Sequence, residues 1–197
     1  MTTHEFASAD LTAGQLNALV KKVGGKDAAL QILRGTAEVV VNIVKLLTKF
    51  TTVQLKGIPQ FTMNEEIQKA SNIGYMWDDF KSHFFGKTEE NIGDLTVATH
   101  KLEKNSLDKP ILEELGEEAE ISLTHFVELL KQQSQGQDGV LLTNGYANIA
   151  YIKGNDGNLW AVDARWRSDY RCWHVGACSV TNPNEWDAGH QIISCDC

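Results

Sequence analysis

The chain has 197 residues, of which 42% are apolar and 22% charged, and its net charge is −8. This composition predicts a globular protein with a substantial core, organised as one domain with an appended module or as two small domains. The longest apolar stretch is too short to cross a bilayer. The first ten residues lack the basic and apolar regions of a secretory signal, so we expect a cytoplasmic protein with no membrane partner.

The charge is unevenly distributed along the chain. Residues 1–60 are net +3, residues 61–135 net −8 and residues 136–197 net −3. Such a chain is not a general polyanion binder, because most of its surface repels phosphate. Any nucleic-acid surface is therefore expected within the first third.

Two short helices are predicted over residues 11–35, because leucines and valines recur there at helical spacing on both sides of Gly24 and Gly25. The next segment, residues 37–50, is ambiguous. Its apolar spacing fits a helix, whereas its β-branched start favours a strand. We predict a helical hairpin module with a connecting segment over residues 1–60.

The remainder, residues 61–197, is predicted to form an α+β domain. Residues 63–86 have helical spacing with aromatics for a buried face. Residues 95–102 alternate as a strand does. Helices are expected within residues 110–133, with Pro110 in a first turn and Ser122 or Thr124 as a cap.

The pattern changes to a period of two after Leu141. Four strands are predicted over residues 141–197, the first two joined by a tight turn at the sequence GNDG, and they would form an antiparallel β-meander packed by helices. The segment SQGQDG, residues 134–139, is the best linker candidate. The predicted fold class is therefore α+β, with an N-terminal helical hairpin, central helices and a C-terminal antiparallel sheet.

Three segments carry a resemblance. The block LTAGQLNALVKKVGGKDAALQILRG resembles an N-terminal module of a family of bacterial proteins from candidate-phylum genomes. The segments LLTNGYANIAYIKGNDGNLWAVDARW and NPNEWDAG are similar to a C-terminal region in the same family. The resemblance covers about half of the chain and implies no activity, and the final cysteines are not a fixed part of its pattern.

The N-terminal hairpin is the first candidate site. If Gly24 is the turn of a helix-turn-helix, Leu19, Val23, Leu30 and Leu33 occupy the expected core positions. The hairpin would then contact nucleic acid through five side chains: Lys21, Lys22, Lys26, Gln31 and Arg34. The alternative is a plain helical hairpin that packs on the rest of the protein or on a second copy of the chain.

All four cysteines fall within the last 26 residues, together with two histidines. A zinc site there would use Cys172, His174, Cys178, Cys195 and Cys197. Against zinc, side chains two residues apart on a strand stand about 6 Å or more apart, and no CxxC knuckle turns the chain. Packing cysteines or a cross-strand disulfide are the alternatives, and the default expectation is no cofactor.

Two further patterns use the same region. Cys172 or Cys178 could pair with a histidine (His100, His125, His174 or His190) as a thiol nucleophile. Arg165 and Arg167 share the outward face of a strand with Asp163, and with Arg171 they could bind an anion; the alternative is a solvated face of Asp–Arg pairs.

These patterns predict a binding or adaptor protein, with nucleic acid or a protein as partner through residues 11–35. A thiol or metal-dependent enzyme that uses the Cys/His-rich sheet is the first alternative. A purely structural or protein-interaction module is the second. Whether the chain is an enzyme at all is left open by the sequence.

Overall fold

The computed structural model describes residues 12–37 and 45–196, and the chain divides into two compact units, residues 1–44 and 45–197. In the first unit, α1 (Ala13–Lys22) begins at Thr12, whose side chain accepts from the amide of Gln15 in a capping box. The helix α2 (Lys26–Leu33) follows after a short turn. Both predicted helices are therefore present, and none of the described residues 12–37 is buried.

The turn between α1 and α2 depends on two glycines. Gly24 has a φ of 101° and Gly25 a φ of 95°. Both angles lie in the left-handed region, which side chains with a Cβ rarely adopt. This is why the sequence GG interrupts an otherwise helical pattern.

The second unit contains a seven-stranded sheet. Its strands are β1 (Leu47–Leu55), β3 (Ile73–Met76), β5 (Leu95–Leu102), β6 (Asn148–Lys153), β7 (Leu159–Arg167), β8 (Cys172–Ser179) and β9 (Gln191–Cys195). Their order across the sheet is β1-β5-β9-β6-β7-β8-β3, and all neighbours are antiparallel except β6–β9 and β3–β8. Two short strands, β2 (Gln60–Thr62) and β4 (Thr88–Glu90), form a separate pair.

Four helices belong to the same unit: α3 (Glu65–Ala70), α4 (Asp78–Phe84), α5 (Asp108–Leu115) and α6 (Leu123–Gln132). As predicted, Pro110 lies in the first turn of α5, and the Ser122 hydroxyl caps α6 by accepting from the amide of His125 at 3.2 Å. The α+β fold class predicted from the sequence is confirmed.

The N-terminal boundary differs from the prediction of a module over residues 1–60. Strand β1 is part of the large sheet, so residues from Leu47 onwards belong to the sheet and not to the helical module. The helical interpretation of residues 37–50 is wrong at its C-terminal end, where Leu47 and the residues after it are extended. The β-branched run at residues 39–41 lies outside the described residues.

The single helix predicted over residues 63–86 is also wrong. Helix α3 ends before Asn72, which has a left-handed φ of 53°, and β3 then pairs parallel with β8. The prediction that the aromatic residues form one buried helical face is wrong for the same reason, because residues on two helices separated by a strand do not share a face. Phe80 and Phe84 are buried, whereas Tyr75 and Trp77 are 42% and 57% exposed.

Strands β6, β7 and β8 form the predicted antiparallel meander, with the predicted turn between β6 and β7. The fourth strand, β9, does not continue it. It crosses back and lies between β5 and β6, parallel to the latter. Ile192 and Ile193 point to opposite faces and both are fully buried, which requires a central position rather than the edge beside β8.

Residues 134–139 are not a linker between domains, because they lie inside the second unit between α6 and β6. The side chain of Gln133 spans this loop: its amide nitrogen donates to the carbonyl of Leu141 and its amide oxygen accepts from the Leu141 N–H. Gly136 packs against the ring of Trp166, where a Cβ would overlap the indole. The polar composition of this segment therefore reflects a tightly bonded turn.

Each face of the large sheet has its own apolar core. On one face α3, α4 and α6 pack over the strands, and Phe126 and Trp173 are fully buried there. On the other face α5 covers the centre, with Ile111 against Ile149 and Ile192. The α5 layer leaves the β7-β8-β3 end of that second face partly open, and side chains capable of chemistry lie on it.

Candidate ligand-binding face

Five of the predicted site residues lie together on the open end of the sheet. The register of β7 and β8 places Arg165 opposite His174 and Arg167 opposite Cys172. Cys178 lies further along the same face of β8, opposite Ala161. The arginine patch and the Cys/His face, which the sequence suggested separately, are thus one surface.

Four aromatic side chains cover this surface, and we call them the aromatic cluster: Tyr75, Trp77, Tyr170 and His174. The rings of Tyr75 and Trp77 are nearly perpendicular, with their centroids 5.0 Å apart. The centroids of Tyr75 and His174 are 5.3 Å apart. Tyr170 stacks on His174 at 5.7 Å with an interplanar angle of 27°. The contacts form one continuous chain of rings across β3, β8 and the turn before β8.

The aromatic cluster is exposed. Tyr170 is 67% exposed, and Tyr75 and Trp77 are also open to solvent. Aromatic side chains of this size normally supply buried area, so their collection on one open face is a distinctive feature of this unit. Two cations flank the rings: Lys81 Nζ lies 5.9 Å from the centre of Tyr75, and the Arg167 guanidinium 5.7 Å from that of Tyr170.

Two shallow clefts lie on either side of Trp77. The first, of about 440 Å³, is bounded by Trp77, Tyr75, Tyr170 and His174. Its floor includes Gly74, where a Cβ would overlap the side chain of Cys172. A larger residue at this strand position would have to displace the neighbouring thiol, which occupies the space.

The second cleft, of about 350 Å³, is bounded by Trp77, Trp186, Asp163 and Arg165. Gly176 forms its floor, and a Cβ there would lie 2.8 Å from Asp163 Oδ2 and 3.1 Å from the Trp77 ring. The absence of a side chain at Gly176 lets the carboxylate and the indole approach the sheet. Trp77 is the wall that both clefts share.

The arginines of the face are already paired. Arg165 Nε donates to Asp163 Oδ1 at 3.1 Å, and Arg167 donates to both oxygens of Asp169 at 3.3 and 3.1 Å. Burial raises the pKa of Asp163, and the neighbouring Arg165 opposes that shift. The alternative of Asp–Arg pairing is therefore the arrangement found, although the partners lie along the chain rather than across strands.

Arg171, the third arginine of the predicted anion patch, lines neither cleft, unlike Arg165 and Arg167. It occupies the turn before β8 with a left-handed φ of 52°, and its side chain is exposed. Its carbonyl accepts from Asn72 Nδ2 at 2.8 Å. The backbone of Arg171 thus connects the start of β8 to the start of β3.

The two described free thiols are poorly suited to nucleophilic attack. Burial raises the pKa of both Cys172 and Cys178 above the ordinary value of 9.0, so both stay protonated near neutral pH. Burial also lowers the pKa of His174, which favours the neutral ring. A protonated thiol beside a neutral imidazole is not an activated pair.

The other three candidate histidines are bonded elsewhere. His100 Nε2 lies 2.9 Å from the Ser194 hydroxyl, and His125 bonds Ser122 and the carbonyl of Gly93. His190 Nδ1 accepts from the amide of Ala147 at 3.0 Å. These rings support the fold and do not face the thiols of β8.

The four predicted zinc ligands that the structure describes, Cys172, His174, Cys178 and Cys195, are not brought together. Strands β8 and β9 are separated by β6 and β7, so three strand spacings, at least about 14 Å, lie between Cys195 and the two cysteines of β8, and Cys172 is further still because it lies at the opposite end of β8. Cys197 lies outside the described residues. Within residues 12–37 and 45–196, no group of three His, Cys, Asp or Glu side chains is placed to hold a metal ion.

The five predicted nucleic-acid contacts on the hairpin, Lys21, Lys22, Lys26, Gln31 and Arg34, all have exposed side chains. Two of the four residues predicted to form the core of a helix-turn-helix are exposed rather than buried. Leu19 is 50% exposed and Leu33 82% exposed. The described hairpin therefore displays both a basic and an apolar surface. No helix in the described part of the chain is long and apolar enough to cross a membrane.

Comparison with known proteins found no match to any family model, any curated protein or any solved structure. The segment NPNEWDAG nevertheless has a structural role in the second unit. In NPNEWDAG, Trp186 Nε1 donates to the buried carboxylate of Asp108 at 2.8 Å, and Tyr151 donates to the same oxygen at 2.9 Å. These two bonds join the start of α5 to β6 and to the loop after β8, and Trp186 also forms one wall of the second cleft.

The sequence reading missed Tyr75, Trp77 and Tyr170 as site residues. The signal was available in the spacing of Tyr75 and Trp77, which are two residues apart as on one face of a strand. The helical interpretation of residues 63–86 concealed it. Tyr170 lies in a turn, where periodicity carries no information.

Proposed function

We propose that this protein is a binding protein, and that the open face of β3, β8 and β7 holds a ligand that contains a flat ring. The observation that carries the proposal is the continuous aromatic cluster, in which Trp77 and Tyr170 are more than half exposed. A ring laid on such a surface removes apolar area from water and gains stacking energy of about 0.5–1.5 kcal/mol for each aromatic partner.

Binding is favoured over catalysis by the electrostatics of the same face. The thiols of Cys172 and Cys178 have raised pKa values, so neither is primed for attack. The guanidinium groups of Arg165 and Arg167 are engaged by Asp163 and Asp169, which fixes them as oriented hydrogen-bond donors. Fixed donors beside exposed rings are typical of recognition sites.

The test is ligand-observed NMR of the full chain with a mixed panel of nucleosides and methyl glycosides. We expect at least one ring-bearing compound to bind the native chain and to lose most of its signal with Trp77→Ala. Phe50→Ala is the matched control, because Phe50 is 80% exposed on β1, away from the aromatic cluster. Equal binding by both variants, or no binding by any panel member, would overturn the proposal.

A second candidate function is nucleic-acid contact through the hairpin. It is supported by the net positive charge of residues 12–37, which contain four Lys/Arg and a single acidic residue, Asp27. The affinity for a short duplex is expected to fall steeply with salt and to weaken with Lys21→Ala plus Lys22→Ala. The control pair is Lys104→Ala plus Lys109→Ala, which removes the same charge from the acidic unit. Equal losses with both pairs would contradict a role for the hairpin.

A further inference from the structure

The two clefts of the open face form one elongated track. They share the Trp77 wall and lie side by side over β8, the first at Cys172 and His174 and the second at Gly176 and Cys178. Cys178 is six residue steps along the strand from Cys172, which corresponds to about 20 Å at the ordinary rise of a strand. A track of this length accepts a chain of rings rather than a single ring.

The aromatic walls are distributed along that track. Tyr170 and His174 stand at one end, Trp77 at the middle and Trp186 at the other end. A linear ligand can therefore meet a new aromatic side chain as each cleft is filled. The C–H face of a sugar ring suits these walls because its weakly positive hydrogens are attracted to the negative face of an aromatic ring.

Two Asp–Arg pairs lie on the track, and Asp79 also lines the second cleft. Asp163 is bonded to Arg165 and Asp169 to Arg167. Each pair offers carboxylate acceptors and guanidinium donors with little net charge. Hydroxyl groups, which both donate and accept, match such pairs, whereas phosphates would have to compete with the aspartates for the arginines.

The net negative charge of the surrounding unit also favours an uncharged ligand. Residues 45–196 contain 14 Lys/Arg against 22 Asp/Glu. A single-stranded nucleic acid on this face would also stack on the rings, but it would bring one negative charge per nucleotide to an acidic body. An uncharged polymer avoids this repulsion.

We infer that the ligand of the open face is a neutral oligosaccharide that lies along β8 and occupies both clefts. The inference rests on the proposed ring-binding function and specifies its ligand. Ring faces contact the aromatic cluster in the first cleft, and hydroxyls bond the Asp163–Arg165 pair in the second. Affinity must then depend on the number of sugar units, because only a chain longer than one ring reaches both clefts.

The experiment measures affinity by isothermal titration calorimetry of the full chain with methyl glucoside and with cello- and chito-oligosaccharides of two to six units. We expect affinity to rise at least about tenfold, or about 1.4 kcal/mol, from the single ring to the longest chain. Tyr170→Ala should weaken both short and long ligands. Asp163→Asn, which keeps the shape of the second cleft, should remove only the gain with length.

Three results would overturn the inference. A single ring that binds as well as six units leaves the ring-binding function standing but removes the elongated ligand. Salt-sensitive binding of a six-nucleotide oligothymidylate that exceeds sugar binding assigns the face to single-stranded nucleic acid instead. No binding by any of these sugars, with the fold of the native chain verified by its thermal transition, excludes the neutral oligosaccharide.

Discussion

Trp186 and Asp108 lie 78 residues apart in the chain and are joined by a hydrogen bond of 2.8 Å from the indole nitrogen to Oδ1. The backbone repeats the connection next to it, since Ser106 and Trp186 exchange amide-to-carbonyl bonds of 3.0 and 2.8 Å. This junction ties the loop between β8 and β9 to the start of α5. It thereby holds one wall of the second cleft in place.

The first prediction concerns this junction. Trp186→Phe keeps most of the apolar ring but removes one of the two donors to a nearly fully buried carboxylate. We expect the free energy of unfolding to fall by about 1–3 kcal/mol, the cost of an unsatisfied buried polar group. Urea denaturation followed by circular dichroism measures it.

The matched control is Trp160→Phe. Trp160 Nε1 also donates to a carboxylate, Asp156 Oδ1 at 3.3 Å, but that bond is exposed. Its loss should cost less than about 1 kcal/mol, because water replaces the partner. Equal losses at the two positions would show that the Asp108 junction contributes nothing beyond the packing of the ring.

Much of the fold was predictable because the local signals and the tertiary environment agree. Helix α6 has an amphipathic pattern and a serine cap, and β7 and β8 alternate cleanly around a turn. The segment at residues 63–86 was not predictable in this way. There a four-residue strand is stabilised by pairing with β8, a contact about 100 residues distant that no local pattern encodes.

The candidate site was predictable one strand at a time. Alternation placed Arg165, Arg167, Cys172, His174 and Cys178 on outward faces. It could not show that β3 adds Tyr75 and Trp77 beside them, nor that β9 leaves this edge and carries Cys195 away from the thiols of Cys172 and Cys178. Both facts depend on strand order, which is set by the burial of whole strands rather than by their own sequence.

The second prediction concerns Glu89, which caps α6 from outside the helix. Its carboxylate accepts from the amides of Leu123 and Thr124 and from the Thr124 hydroxyl at 2.6–3.1 Å. Burial acts to raise the pKa of Glu89, but these bonds and the nearby Lys87 outweigh it, so the pKa lies below 4.5. Glu89→Gln should therefore lower the free energy of unfolding at pH 7 by about 1–2 kcal/mol.

The pH dependence gives the sign of this effect. Because the folded pKa is depressed, the stabilisation is present above about pH 4.5 and is lost as the pH falls through the folded value. The difference between native and Glu89→Gln chains should shrink over that acidic range in urea titrations. Glu90→Gln, an exposed neighbour, is the control and should show little difference at any pH. A deficit that is independent of pH would rule out the charge as its source.

The third prediction concerns His190, a buried ring whose Nδ1 accepts from the amide of Ala147. Burial lowers the pKa of His190 below 6.5, chiefly because a charged ring would lose its hydration. The stabilisation from the neutral ring is present above pH 6.5 and is lost as the pH falls through the folded pKa. The native chain should therefore lose stability between neutral and mildly acidic pH, by at most about 1.4 kcal/mol per pH unit from this group.

His190→Asn removes the titrating ring and should flatten that part of the profile, even though the variant is less stable throughout. The control is His83→Asn, which removes a ring that stacks on Trp160 at 3.8 Å and lies half-buried. The measurement is the free energy of unfolding across the same pH series. An unchanged slope in His190→Asn would assign the acid sensitivity to other groups.

The last prediction decides between a binding face and a thiol enzyme. Burial raises the pKa of Cys172 and Cys178, so the reactive thiolate is scarce at pH 7. Both should react with iodoacetamide more slowly than free glutathione does in the same tube, and peptide mass spectrometry after timed quenching measures each site. Replacing Gly74 by alanine, which displaces the Cys172 thiol, should speed its alkylation if burial is the cause. A native Cys172 or Cys178 that outpaces glutathione would instead identify an activated nucleophile on β8 and favour catalysis at the open face.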